Sequence, residues 1–162
     1  MDLEMLGHRA CIQDVIARYF RGIDSGSKAL VRSCFSEDAQ VLYDGRAPEK
    51  GIDAVIGSLK TFKRIAAGEM QLTMHFMGNF NLIRLDGDLA DTETYAIAFM
   101  IPPKSISGQM AVRGLRYIDQ LRQDSGEWRI AQRRHTLDWS FEAEPTFASS
   151  LAQRVMATGA PA

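Results

Sequence analysis

Leu72-Thr73-Met74-His75-Phe76-Met77 is the stretch on which the fold turns. It is short and bounded like a strand, yet both of its alternating sets carry apolar side chains: Leu72, Met74 and Phe76 on one side, Thr73, His75 and Met77 on the other. The run from Ala96 to Ile101 is apolar throughout. A sheet with one face in water alternates apolar and polar residues. Strands that are apolar on both sides therefore predict one face packed on helices and the other turned to a second dry space, either a cavity inside a curled sheet or a partner subunit.

Downstream of this stretch the period stays at two. Strands are expected at about Met70–Met77, Phe80–Leu85, Leu89–Ile101, Met110–Gln123 and Trp128–Phe141. Asp86-Gly87-Asp88 and Asp124-Ser125-Gly126-Glu127 supply short turns with Gly where positive φ is needed, so consecutive strands should form an antiparallel meander. Upstream the period is that of helices. Ile12, Val15, Ile16, Tyr19, Phe20 and Ile23 recur at three- and four-residue spacing, which predicts an amphipathic helix from about Leu3 to Ile23, with Gly22 and Gly26 bracketing its end. Ser27 can cap a second helix carrying Leu30, Val31, Cys34 and Phe35. A strand at Gln40–Tyr43 follows, then a third helix after Gly51 with Ile52, Val55, Ile56, Leu59 and Phe62 on one face. The pattern predicts an α+β fold: three N-terminal helices on a strongly curved mixed or antiparallel sheet, a cone-shaped barrel that encloses a pocket. Residues 1–145 are expected to form this one domain, with 146–162 as a C-terminal tail.

Composition narrows the function classes. The chain has 162 residues, 46% of them hydrophobic and 24% charged, enough for one self-sufficient core. Its net charge is -1 and its Lys and Arg residues are scattered, which excludes the basic stripe of a nucleic-acid binder. No apolar run approaches the roughly 20 residues of a membrane span, and Met1-Asp2-Leu3-Glu4 is acidic where a secretory leader would be basic, so the expected setting is the cytoplasm without a membrane partner. Cys11 and Cys34 lie in helical apolar patterns and are read as buried small hydrophobes, not as a disulfide.

Three positions carry candidate chemistry. Asp24 stands at the C-terminal end of the first helix, where the macrodipole disfavours a negative charge; it is either a turn residue of Asp-Ser-Gly or a carboxylate with a partner elsewhere. His75 stands in the middle of an apolar strand, as a hydrogen-bonded core residue or a catalyst. In the last strand Trp128 and Ile130 should pack on the helices, so a regular alternation sends Ala131, Arg133 and His135 to the opposite face; a bulge would exchange Arg133 for Arg134. Met77, Phe99 and Met110, with Met74 and Met100, could line a pocket for a greasy small molecule or could be ordinary core.

The order of these features resembles the SnoaL-like branch of the nuclear-transport-factor-2-like superfamily, a cystatin-like fold. The resemblance runs from about Arg9 to Trp139. It rests on Tyr19-x-x-x-x-Asp24, Phe35-Ser36-Glu37-Asp38-Ala39, Gly51 before the third helix, His75-Phe76-x-x-Asn79, Asp86-Gly87-Asp88-x-Ala90 and Trp128-Arg129-Ile130-Ala131-x-Arg133-Arg134 ending in Asp138-Trp139. Family members include scytalone dehydratase, hexachlorocyclohexane dehydrochlorinase and a bile-acid dehydratase, lyases that need no cofactor and use an Asp/His pair. The resemblance therefore implies a catalytic dyad of Asp24 and His75, with Arg133 as the cavity arginine and Tyr19 and Tyr43 beside the substrate; His135 joins the substrate-side residues through the alternation of the last strand. It implies no metal or other cofactor, a small hydrophobic substrate of aromatic, terpenoid or steroid size, and a homo-oligomer, dimer or trimer. Two other readings compete: a non-catalytic binding or assembly domain like the small subunit of an aromatic-ring dioxygenase, and a metal site built from His75, His135 and Asp24.

Overall fold

A computed structural model describes residues 3–43 and 46–158. The first two residues and the last four of the expected tail lie outside the described residues. The first helix, α1 (Leu3–Ser25), buries Ile12, Val15, Ile16, Tyr19, Phe20 and Ile23, the stripe its sequence predicts. Each such side chain contributes about 1.5–3 kcal/mol when removed from water. Gly26, at φ 73°, ends the helix. The Ser27 N–H donates to the Gly22 carbonyl at 2.9 Å and the Gly26 N–H to that of Ile23 at 3.2 Å, a closing pattern that fixes Asp24 in the last turn.

The second helix, α2 (Lys28–Arg32), is capped by Ser27 as expected but is shorter than predicted. Cys34 and Phe35 do not belong to it: Phe35 opens the first strand, β1 (Phe35–Tyr43), where it pairs with Ile130. Over so few residues the apolar spacing of a helical turn leading into a strand cannot be told from a continued helix. Cys34 is buried, whereas Cys11 is exposed on α1, contrary to expectation. A two-residue strand, β2 (Glu49–Lys50), precedes the third helical segment, which is two helices, α3 (Ile52–Ser58) and α4 (Lys60–Ala66). Leu59 is extended between them, at φ -68° and ψ 102°. Gly57 and Ser58 are weak helix formers, and the Ser58 hydroxyl turns back to the Val55 carbonyl at 2.9 Å.

The long strands are β3 (Leu72–Asp86), β4 (Leu89–Ile101), β5 (Met110–Asp124) and β6 (Glu127–Ala143). The two strands expected around residue 78 are one, bent by an irregularity between Met77 and Phe80. The six strands form one curled sheet in the order β2-β1-β6-β5-β4-β3 that does not close. β3 to β6 make the predicted antiparallel meander, whereas β1 runs parallel to β6. Bulges between Gly114 and Leu115 and between Gln120 and Leu121 sharpen the curvature. The helices fill one end of the concave face, and the core gathers there around Phe35, Leu121, Trp128 and Ile130.

No element was expected after Phe141, yet a fifth helix, α5 (Leu151–Thr158), follows β6. It docks on the free edge of β3: the Leu151 N–H donates to the Gln71 carbonyl at 2.8 Å, and Arg154 donates to the carbonyls of Thr73 and Asp24. Among the described residues no helix is long and apolar enough to cross a membrane.

Candidate active site

Because β3 is an edge strand, its outward backbone groups need partners from outside the sheet. Asp24 supplies one. Its Oδ2 accepts the backbone N–H of His75 at 2.7 Å, and its Oδ1 lies 2.7 Å from Nδ1 of the same residue's ring. The two side chains retain only 13% and 9% of their exposure. Phe20 stacks on the imidazole with ring centres 5.3 Å apart and planes 13° from parallel. The electrostatically awkward carboxylate at the helix end thus has its partner across the sheet edge. With Nδ1 tied to Asp24, Nε2 is the ring nitrogen left for a ligand.

His75 lines a cavity of about 380 Å³ in the open end of the cone. Around it stand Tyr19 from α1, Tyr43 from β1, Tyr117 from β5 and His135 from β6, with Leu59, Ala98, Met100, Leu115 and Leu137 as apolar wall. The break at Leu59 lets α4 turn across this opening. Burial raises the Tyr19, Tyr43 and Tyr117 hydroxyls above the ordinary phenol range, those of Tyr43 and Tyr117 well above it, against the opposing charge of Arg133. All three are therefore hydrogen-bond donors at neutral pH. Burial, reinforced by the charge of Arg133, pulls His135 down to about 4, so its ring is neutral. Tyr43 is buried, and its hydroxyl lies beside that of Tyr19 without a well-aligned hydrogen bond; Nδ1 of His135 has no partner among the described residues. Unsatisfied buried polar atoms are uncommon and point to a ligand or water that completes them.

Arg133 does not reach this cavity. It lies one layer deeper, where Nε and Nη2 donate to the two oxygens of Asp119 at 2.7 Å each, both side chains fully buried. Burial alone would pull the guanidinium down, but the Asp119 charge and hydrogen bonds outweigh it and hold the cation above its usual range. The rings of Tyr19 and Tyr117 cover it at 4.1 and 4.7 Å. A bulge at Ala131 explains the placement. Leu121 pairs with Ile130 and Gln120 with Gln132, so the skipped residue brings Arg133 and His135 to the same inner face as Trp128 and Ile130 rather than to the opposite one.

Of the residues expected at the substrate, the structure brings together Asp24, His75, Tyr19, Tyr43 and His135. It separates Met77, which packs into the core beside the cavity, and Phe99 and Met110, which fall on the outer face with the alternation of β4 and β5. Met100, one residue on from Phe99, lines the cavity instead. Tyr117 escaped notice in the sequence, although an aromatic alternating with buried Leu115, Asp119 and Leu121 was legible there. Among the described residues no group of three His, Cys, Asp or Glu side chains could hold a metal ion. The arrangement supplies a proton acceptor oriented by a carboxylate, neutral hydroxyl donors and an apolar enclosure.

The family model that matches the chain, over residues 4–134, is described as a SnoaL-like domain. No curated protein matches. Among solved structures, a candidate scytalone dehydratase from Novosphingobium aromaticivorans is 19% identical, over 90% of this chain and 93% of its own, with a TM-score of 0.75. A type 2 hexachlorocyclohexane dehydrochlorinase is 20% identical over 91% and 97% of the two chains, with the same TM-score of 0.75. An NTF2-like protein with a cystatin-like fold, again from Novosphingobium aromaticivorans, is 26% identical over 84% and 85%, with a TM-score of 0.65.

Proposed function

The chain belongs to the SnoaL-like domain family, and on that premise we propose that it is a cofactor-independent lyase, of dehydratase or dehydrohalogenase type, or an isomerase, acting on a small hydrophobic substrate. One observation carries this reading: a single carboxylate holds both the backbone N–H and the ring of His75 at 2.7 Å, with that ring on the cavity wall. A proton acceptor fixed in one orientation loses little freedom on reaching the transition state.

In the proposed reaction Nε2 of neutral His75 takes a proton from carbon next to a carbonyl or leaving group, and Asp24 stabilises the imidazolium that forms. The electron pair of the broken C–H bond becomes the new carbon–carbon double bond as hydroxide or halide departs. The Tyr43 hydroxyl, which lines the cavity, donates a hydrogen bond to the departing group or to the enolate oxygen, and the imidazolium returns its proton to the leaving hydroxide. In an isomerisation the proton returns to a different carbon. Neutral His135 and Tyr117 shape the far wall. Arg133 acts at one remove, by fixing the Tyr19 and Tyr117 rings. Every group this scheme needs is a side chain, so it calls for no cofactor.

The test is incubation with β-hydroxy ketones of naphthalene, terpenoid and steroid skeletons in heavy water, followed by mass spectrometry. Loss of water or deuterium uptake that disappears in His75→Ala is expected. Turnover unchanged in His75→Ala would overturn the reading.

The outer face of the sheet leaves Phe76 61%, Phe141 53% and Trp139 46% exposed, which supports a homo-oligomer that covers it. Light scattering on Phe141→Glu should then report a smaller species than the parent protein.

A further inference from the structure

Four cations stand around the cavity: Arg46 beyond β1, Lys60 and Arg64 on α4, and Arg113 on β5, and among the described residues no carboxylate lines it. The whole chain has 19 basic and 20 acidic residues, so this one-signed rim does not follow from overall charge. Elsewhere arginines rest on carboxylates: Arg32 on Asp53, Arg84 on Asp91, Arg116 on Asp138 and Arg122 on Asp38, all at 2.7–2.8 Å. Among the described residues no carboxylate lies within ion-pair distance of Arg46, Lys60, Arg64 or Arg113. Arg46 donates to the Ser58 carbonyl at 3.3 Å and covers the Tyr43 ring at 4.9 Å, while Arg64 donates to the Glu69 carbonyl at 3.3 Å. These contacts hold two guanidinium groups in place and leave most of their N–H donors unspent. Like charges gathered at a concave, low-dielectric opening repel one another and focus a positive potential into it. Folding gains nothing from that arrangement, whereas an anionic ligand does.

We propose that the cavity takes an amphiphilic anion, with an apolar ring system against Ala98, Met100 and Leu115 and a carboxylate, sulfonate or phosphate at the rim on Arg64 and Arg113. This rests on the reading of the His75 cavity as the substrate site. It adds how the substrate is oriented: the rim holds the charged end and so places the carbon skeleton against His75.

Two fluorescent probes share one skeleton and differ by the charge, 8-anilino-1-naphthalenesulfonate and N-phenyl-1-naphthylamine, and both brighten on leaving water. At about 0.01 M ionic strength the sulfonate should bind about tenfold more tightly than the amine, with the preference collapsing near 1 M salt. Arg64→Gln with Arg113→Gln should abolish the preference and leave amine binding unchanged. Arg113→Gln alone, at an exposed side chain, should reduce it. Equal affinity for the two probes, binding of neither, or a preference that survives these substitutions would overturn the proposal. The sulfonate preference should persist in His75→Ala, so a failure of the proton-transfer reading and a failure of the anion site are separate results.

Discussion

Two carboxylates on the inner side of the same sheet each hold a basic side chain. In Asp119–Arg133 both carboxylate oxygens take a guanidinium N–H at 2.7 Å, both side chains have no exposure, and aromatic rings cover the cation. In Asp24–His75 the carboxylate spends one oxygen on a backbone N–H and the other on the ring, and the ring lines an open cavity. The first pair is closed off from the cavity: Nη1 of Arg133 lacks a hydrogen-bond partner, but it is buried beneath the Tyr19 and Tyr117 rings. The second keeps Nε2 of the ring on the cavity side, with Nδ1 tied to the carboxylate. A buried carboxylate with a basic partner is thus a structural device when burial and aromatic rings close the pair off from a ligand, and a chemical one when a ring nitrogen remains on a cavity wall.

The sharpest way to break this comparison is at the dyad. His75→Ala or Asp24→Asn should lower turnover by about 10³-fold, the scale of a lost general base or its orienting carboxylate, with the fold retained by circular dichroism. A substitution at the deeper pair should act on stability instead. Asp119→Ala, which strands a buried guanidinium, should cost about 3–5 kcal/mol in denaturant titration, while Arg133→Met with Asp119→Leu should recover most of it and keep activity. Should that double variant fold but lose turnover as fully as His75→Ala, the division of labour would be wrong. Tyr43→Phe removes a cavity hydroxyl that makes no well-aligned hydrogen bond, so it should reduce turnover about tenfold or more with little change in stability.

The last effect concerns pH. His135 titrates near 4 in the folded chain against an ordinary value of 6.5. Between those values the unfolded chain binds a proton that the native one refuses. This contribution is complete above about pH 6.5 and is lost as the pH falls towards 4. It should amount to about 3 kcal/mol. His135→Gln should flatten this part of the stability profile, measured by denaturation at a series of pH values.

Asp24 and His75 were both visible in the sequence as residues out of keeping with their surroundings: a carboxylate at a helix C-terminus and a histidine in an apolar strand. Their pairing was not derivable from spacing, since 51 positions separate them; the family resemblance alone put them together. Arg133 shows the opposite case. Alternation placed it on the face opposite Trp128, and a single skipped residue at Ala131 reversed that, because parity along a strand survives only as long as the ladder is regular. Phe99 and Met110 missed the cavity wall for another reason: the β4–β5 ladder is unbroken there, but both strands are apolar on both faces, so the sequence does not say which face turns inward. α5 was illegible because its eight residues carry no long apolar stripe and are held largely by bonds to the edge of β3.

By itself the sequence determined the α1 stripe, the hairpin turns, the two-sided apolar strands and hence a curled sheet with helices at one end, because these follow from local periodicity and from turn chemistry repeated over many residues. Only the tertiary structure decided which arginine is neutralised and which is offered to a ligand, where the third helix breaks to roof the cavity, and that four cations from three separate elements meet at one opening. Those outcomes depend on bulges, on edge-strand backbone groups seeking partners and on contacts between residues far apart in the chain, none of which leaves a periodic trace in the sequence.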